Sequence, residues 1–343
     1  MSTCKVLVFS DVHFHQWQEH ERDERWRDCL KAVQDVRLAA LHYSPDLVVF
    51  NGDLFESKRL LRSDIVAAAF KEMAKPWAVR DTSTGKLRAI PAVYVAGNHD
   101  YYKQSCVLDP LDNPAMRITV VHRFKKYQPY LSVGGHLFAF MPYGVASLPT
   151  PVDGDVSAVF THTDIAGARI SKHLAKLTQQ DGVDSELLDT NVPCIINGHY
   201  HGPHTVTRKN GTRVYMVGSL LQHSWADADM PEDRGATLFT FTDTGCAEPV
   251  RIPIGNNYPR FYRDAASPHA AGDFVLAPKL ADISAATTHT HEGSATIASG
   301  TSAQIILGYL KKERPGIKGK DLAEYYRTGL ECLATSKGDT DAT

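Results

Sequence analysis

Five short segments of the chain carry the residue types of a two-metal phosphoester site. They are Asp11-Val12-His13, Gly52-Asp53, Gly97-Asn98-His99-Asp100, His162, and Gly198-His199-Tyr200-His201. Carboxylates, imidazoles and one amide are hard and borderline ligands, suited to divalent cations and to phosphate-ester chemistry. Asp11 and His13 stand two apart at the end of an apolar run, so strand alternation would aim both at one side. Taken singly, Asp11 reads as a turn or cap, Gly52-Asp53 as a common turn and His162 as a structural histidine. Gly97-Asn98-His99-Asp100 is more specific, since average residue usage produces such a tetrapeptide in roughly one chain in a thousand of this length. Context joins the five. The first three follow the apolar runs Val6–Phe9, Leu47–Phe50 and Ala92–Val95, and the last follows Cys194-Ile195-Ile196. A motif counts only where its structural context agrees, and here all seven ligand-type residues fall after predicted strands.

The elements that must hold these residues alternate strand and helix in the first half. Lys5–Ser10 reads as a buried strand. Glu24–Tyr43 reads as a crossover helix, with Trp26, Leu30, Val33, Val36, Leu38 and Leu41 near helical spacing. Leu47–Asn51 is the next strand, Ser63–Ala74 a second helix with Ser63 as N-cap, and Ile90–Ala96 the third strand. In the second half, Arg117–Val121, Tyr130–Val133, His136–Met141, Val156–Thr161, Thr205–Lys209, Thr212–Val217, Ala236–Thr242 and Pro249–Ile254 read as strands. Gly134-Gly135 and Asn210-Gly211 are hairpin turns. The expected fold is α/β, with two sheets stacked face to face, helices outside, and one sheet built by each half. That is a four-layer α-β-β-α sandwich.

Composition shifts after Tyr262. Residues 1–262 form the expected site-bearing domain, and 263–301, rich in Ala, Ser, Thr and Gly, a low-complexity linker or reduced capping region. Residues 302–334 read as two amphipathic helices around Arg314-Pro315-Gly316, and 335–343 as a polar tail.

With 37 Lys and Arg against 39 Asp and Glu, the net charge of −2 excludes a protein that coats nucleic acid by charge alone. DNA binding would need a local patch, the metals, or a partner. Lys58, Arg59, Arg62, Arg123, Lys125 and Lys126 form local basic clusters, whose commoner meaning is a solvated face. Six scattered Cys without a CxxC pair read as reduced thiols of a cytoplasmic protein. The first apolar run meets Asp11 too soon for a signal peptide, and no stretch is long enough to span a bilayer. His289 and His291 read as a solvated tract, and His15, His20 and His204 as surface polar residues beside the site.

Together the motifs resemble the calcineurin-like metallophosphoesterase superfamily over residues 5 to 217. The resemblance implies two divalent cations. One would be held by Asp11, His13, Asp53 and His201, the other by Asp53, Asn98, His162 and His199, with Asp53 bridging. Such a pair, about 3.5–4 Å apart, would supply a hydroxide nucleophile and neutralise phosphoryl charge. His99 would serve the leaving oxygen as acid or stabiliser, and Asp100 would orient it. Mn²⁺ is the implied metal, with Mg²⁺, Fe²⁺ and Zn²⁺ as alternatives.

Within the superfamily, His199–Val206 and Val217–Trp225, together with the linker and helix pair, resemble the SbcD-type nuclease subunit of double-strand-break processing. That resemblance implies a DNA exonuclease and endonuclease in repair or recombination, partnered by an SbcC-like ATPase docked on residues 302–333. Homodimer formation stays open. The shortened capping region departs from the pattern and puts unaided DNA grip in doubt. Two rival functions remain: a phosphoprotein or nucleotide phosphatase, and a weakly active subunit that clamps a partner.

Overall fold

The computed structural model describes residues 3–15, 25–59, 61–81, 83–126, 128–145, 156–169, 192–208, 210–224, 227–230, 232–262 and 273–275. All lie in one compact unit made of residues 1–263 and 267–275. The expected terminal helix pair and polar tail, His20, His289, His291 and Cys332 lie outside the described residues.

In chain order the elements begin with β1 (Thr3–Phe9), α1 (Arg25–Tyr43), β2 (Leu47–Phe50) and α2 (Ser63–Met73). A small hairpin follows, β3 (Ala78–Arg80) and β4 (Leu87–Ala89), then β5 (Ala92–Val95) and a second hairpin, β6 (Tyr101–Tyr102) with β7 (Ser105–Cys106). Next come β8 (Ile118–Val121), β9 (Tyr130–Val133), β10 (His136–Met141) and β11 (Val156–Thr161). After these stand β12 (Cys194–Asn197), β13 (His204–Thr207), β14 (Arg213–Met216), β15 (Ala236–Thr242), β16 (Gly245–Cys246) and β17 (Val250–Ile252). Last are β18 (Phe261–Tyr262) and β19 (Phe274–Val275), which pair in parallel. A strand therefore stands inside the segment expected to be linker.

The first large sheet runs β16-β15-β1-β2-β5-β8, with β17 also paired to β15. Strands β1, β2, β5 and β8 are mutually parallel, and β15 joins β1 antiparallel. The second runs β13-β14-β12-β11-β10-β9, parallel through its centre and antiparallel at both edges. This corrects the expectation of one sheet per half: β8, β15 and β17 all belong to the first sheet. Hydrophobic pattern announces a strand but not its neighbour, because pairing is set by packing over long separations.

The sheets face each other across a core of Val6, Val8, Val49 and Phe239 from the first and Phe138, Phe160, Cys194 and Ile196 from the second. Burying each such side chain contributes about 1.5–3 kcal/mol. The other face of the first sheet packs on α1 and α2. Helix α1 buries Cys29, Ala32, Val33, Val36 and Ala40, a stripe of mostly small side chains at helical spacing. Leu38 and Leu41, expected on that stripe, are exposed instead. Helix α2 starts one residue earlier than expected in its capping: Arg62 is the extended N-cap, Ser63 is the first helical residue, and Arg62 pairs with Asp64 in the first turn. Gly134, Gly135 and Gly211 take the positive φ that the two expected hairpins need.

Candidate metal centre

Every candidate ligand follows the C-terminal end of a parallel strand: Asp11 after β1, Asp53 after β2, Asn98 after β5, His162 after β11, and His199 and His201 after β12. Such strand ends are where open α/β sheets bind ligands. Local geometry is unusual there. Asp11, His13, Asp53 and His199 all have positive φ, at 51°, 46°, 60° and 73°. For non-glycine residues that conformation costs on the order of 1–3 kcal/mol and persists where function requires it. It also corrects the reason given for pairing Asp11 with His13. A left-handed turn beyond β1, rather than strand alternation, brings them together. Gly52 (φ 95°) and Gly97 are equally constrained, since a Cβ on either would collide with the His162 ring or the Asp53 carboxylate.

All seven expected ligands converge. Asp11, His13 and His201 form one cluster of ligand atoms within 4.8 Å of one another, and Asp53, His162 and His199 form a second. The Asp53 Oδ2 lies between them, 3.7 Å from His13 Nε2 and 3.2 Å from His162 Nε2. Asn98 Oδ1 joins the second cluster, 3.1 Å from both His162 Nε2 and His199 Nδ1.

The donors fit divalent cations on three counts. His162 Nδ1 donates to the Asn51 carbonyl at 2.7 Å, which leaves the Nε2 lone pair facing the cluster. His199 Nε2 and His201 Nδ1 are held by Asp164 (2.9 Å) and Asp227 (3.1 Å), so each ring turns its other nitrogen inward. Carboxylate or carbonyl support behind a ligating imidazole is the usual second layer of a metal site. Finally, Asp11 Oδ1 is fully buried with no hydrogen-bond partner among the described residues, an arrangement that is costly unless a cation satisfies it.

Electrostatics points the same way. Burial disfavours a charged His162, yet Asp53 and Asp11 outweigh it and push the ring up to about 9. Burial likewise opposes ionisation of Asp53, but His162 and His13 hold it well below the usual carboxylate range. A field that retains a proton on a buried imidazole also attracts a metal cation, and the two compete for one lone pair.

His99 belongs to neither cluster, although with His13 and Glu56 it forms another group of ligand-type atoms within 4.8 Å of one another. It is half-buried, its ring 5.1 Å from that of His13, with Nδ1 donating to the Glu56 carbonyl at 2.5 Å. Its backbone N–H donates to Asp53 Oδ1 at 2.8 Å. Asp100 does not orient the ring as expected. Its buried carboxylate accepts the backbone N–H groups of Asp53, Leu54 and Gly97 at 2.8–2.9 Å, and so shapes the Gly52-Asp53 turn. Burial and the Asp53 charge push Asp100 up to about 7. Beside His99 lies a 160 Å³ cleft lined by Lys58, Leu61, Tyr101 and Tyr102.

Of the expected basic residues, Lys58 and Arg59 are exposed. Arg62 and Lys125 pair with Asp64 and Asp112, and Arg123 stacks on Tyr101 and Phe124. His15 and His204 are half-buried and hydrogen-bonded rather than fully exposed: His15 to the His13 carbonyl, His204 to Gly202 and Arg169. Sequence reading also missed Asn51, Asp164 and Asp227. Asp164 follows His162 by two, which was a usable signal. Asp227 carried none.

Paired clusters of carboxylate and imidazole at the strand ends of a two-sheet α/β sandwich define a metal-dependent phosphoester hydrolase. The family model for calcineurin-like phosphoesterases matches residues 4–203, and the chain belongs to that family. A search of curated proteins finds no match. Among solved structures, the chain is similar to a dimetal phosphatase from Danio rerio at 13% identity and TM-score 0.45, covering 74% of this chain and 100% of that one. It is also similar to an anchor protein of the inner membrane complex of Plasmodium (12%, TM-score 0.46, 72% and 83%). A predicted phosphoesterase from Streptococcus pneumoniae matches at 15% and TM-score 0.32, covering 71% and 86%. No helix among the described residues is long and apolar enough to cross a membrane.

Proposed function

We propose that the chain is a phosphodiesterase of the SbcD type that cleaves DNA, working with an SbcC-like ATPase and two Mn²⁺ ions. The observation that carries the diester reading is the place of His99. It belongs to neither of the two clusters that the seven ligands form, and with Nδ1 donating to the Glu56 carbonyl the doubly protonated ring would hand its Nε2 proton to a leaving alkoxide. Bound cations would supply the nucleophilic water and neutralise phosphoryl charge. Asp53 would share its carboxylate between the two clusters, and Asn98 would add a neutral oxygen that limits negative charge. Lys58, exposed on the lining of the His99 cleft, and its exposed chain neighbour Arg59 would take a flanking phosphate of the strand.

Within the segment Val217–Trp225, which supports the SbcD resemblance, Ser219 is tied to the ligand loop. Ser219 N–H donates to the His201 carbonyl at 3.0 Å, and Arg234 donates to the same oxygen. The test is hydrolysis by purified protein with Mn²⁺ of linear duplex DNA, single strands, an aryl phosphodiester and a phosphopeptide. DNA and diester cleavage supports the proposal. Turnover confined to phosphomonoesters replaces it with the phosphatase reading. Deleting residues 302–343 should keep diester hydrolysis and abolish co-purification with the ATPase. Undiminished ATPase binding by the truncated chain would reject docking through 302–333.

A further inference from the structure

A further cluster of metal-type ligands adjoins these and contains none of the seven candidate ligands. One nitrogen each of His15 and His223 and the Sγ of Cys29 lie within 4.8 Å of one another. Cys29 is fully buried in the first turns of α1, and His223 is 6% exposed. Both rings have tautomers set by carbonyl groups, which only accept. His15 Nδ1 lies 2.5 Å from the His13 carbonyl, and His223 Nε2 lies 3.0 Å from the Asp11 carbonyl. Those nitrogens therefore carry the protons, and the opposite nitrogens, Nε2 of His15 and Nδ1 of His223, carry lone pairs. His223 Nδ1 is buried with no hydrogen-bond partner among the described residues. An unsatisfied buried acceptor is destabilising, and a cation at this point would satisfy it.

We propose that His15, Cys29 and His223 form a separate site for one borderline-soft cation, Zn²⁺ or Co²⁺. Imidazole nitrogen and thiolate sulfur are the usual zinc ligands, and zinc sites with three protein ligands leave the fourth position to water or another donor. Thiolate selects such metals over Mn²⁺ and Mg²⁺, which prefer oxygen. The two kinds of site are thus chemically distinct although they adjoin. Burial pushes the Cys29 thiol up to about 12, so the cation itself must drive off the thiol proton. Arg25, one turn earlier, works against the burial, with its guanidinium engaged by the Gln222 carbonyl (2.5 Å) and Asp28 (3.2 Å). Binding would release the thiol proton to solvent and join α1 to the Asp11–His15 turn and the Gln222–Ser224 segment.

The full chain, stripped of metal and titrated with Co²⁺, tests this. A third equivalent should bind and raise a thiolate-to-cobalt charge-transfer band in the near ultraviolet, which the oxygen- and nitrogen-ligated pair cannot produce. Cys29→Ser and His223→Gln should each lose the band and hold two ions. His223→Gln keeps every cysteine, so its loss of the band separates this site from metal bound at another thiol. If His223→Gln fails to fold, His15→Gln, which also keeps every cysteine, makes the same separation. Two equivalents without a thiolate band overturn the proposal, as does a band that survives in His223→Gln.

Discussion

The Nε2 atoms of His13 and His201 stand 3.2 Å apart although 188 residues separate them in the chain. Two such nitrogens at that distance need a shared proton or a shared cation between them. The backing residues differ. Glu56 Oε2 lies 2.7 Å from His13 Nδ1, and Asp227 holds His201 Nδ1. Their convergence joins the end of β1 to the loop after β12, and so one sheet to the other.

Asp53 lies between the clusters, so Asp53→Asn should abolish hydrolysis, by more than about 10³-fold, and leave the fold intact. Steady-state kinetics on a metal-loaded variant with unchanged circular dichroism checks this. Normal turnover would sink the shared-carboxylate assignment.

His99→Ala should retain two tightly bound metals and lose at least about 10²-fold in kcat, the usual effect of removing a general acid. Metal analysis and kinetics must be made on the same sample. Loss of one ion would show that His99 is a ligand instead.

Asp227→Asn should weaken metal binding on the His201 side by about 10–100-fold, the typical effect of altering a ligand's supporting carboxylate. Isothermal titration should show one weakened and one unaltered event. Two unaltered events would refute the supporting role.

Asn51 links the sheets. Its Nδ2 donates to the Thr161 and Ile196 carbonyls at 2.8 and 3.0 Å, both at the ends of strands in the second sheet. Asn51→Ala removes two buried hydrogen bonds, so a loss of about 2 kcal/mol in urea unfolding is expected. A loss below about 0.5 kcal/mol would mean that water replaces the amide without cost.

Glu72 sets a pH dependence of stability. It is buried on α2, and although burial opposes ionisation, Lys75, Gln34 and Arg37 hold its pKa below the ordinary 4.5. The stability it contributes is present above 4.5 and is lost as pH falls through the lower folded value. Glu72→Gln should therefore lower the urea midpoint at pH 7, and the gap to wild type should close at acid pH. A gap of constant size across that range would contradict the ion-pair account.

Much of the site was legible because ligand chemistry is local. Asp11, Asp53, Asn98, His162, His199 and His201 each follow an apolar run that ends as a strand. What could not be read was set by distant packing. Nothing near Asp227 signals its partner His201, and Asn51 reads as a strand end until the second sheet lies against it. The Asp100 role failed for a related reason. Adjacency to His99 suggested a contact, while the tight turn after Gly97 points its carboxylate at the Gly52-Asp53 backbone. Sheet order was hidden as well, since the periodicity of Ala236–Thr242 names a strand without naming β1 as its neighbour.

The pairing of β1 with β15 also has a consequence for biosynthesis. Strand β1 is apolar on both faces and has β2 on one side, so until residue 242 is made its other edge has no partner. At about 5–20 residues per second, the chain between β8 and the end of β15 takes on the order of ten seconds to synthesise. Fragments ending before Ala236 should be insoluble, and their recovery as soluble monomers would count against this. An unpaired apolar edge is a template for aggregation, so the nascent chain passes its most vulnerable interval with the nucleus of its first sheet assembled and one border open.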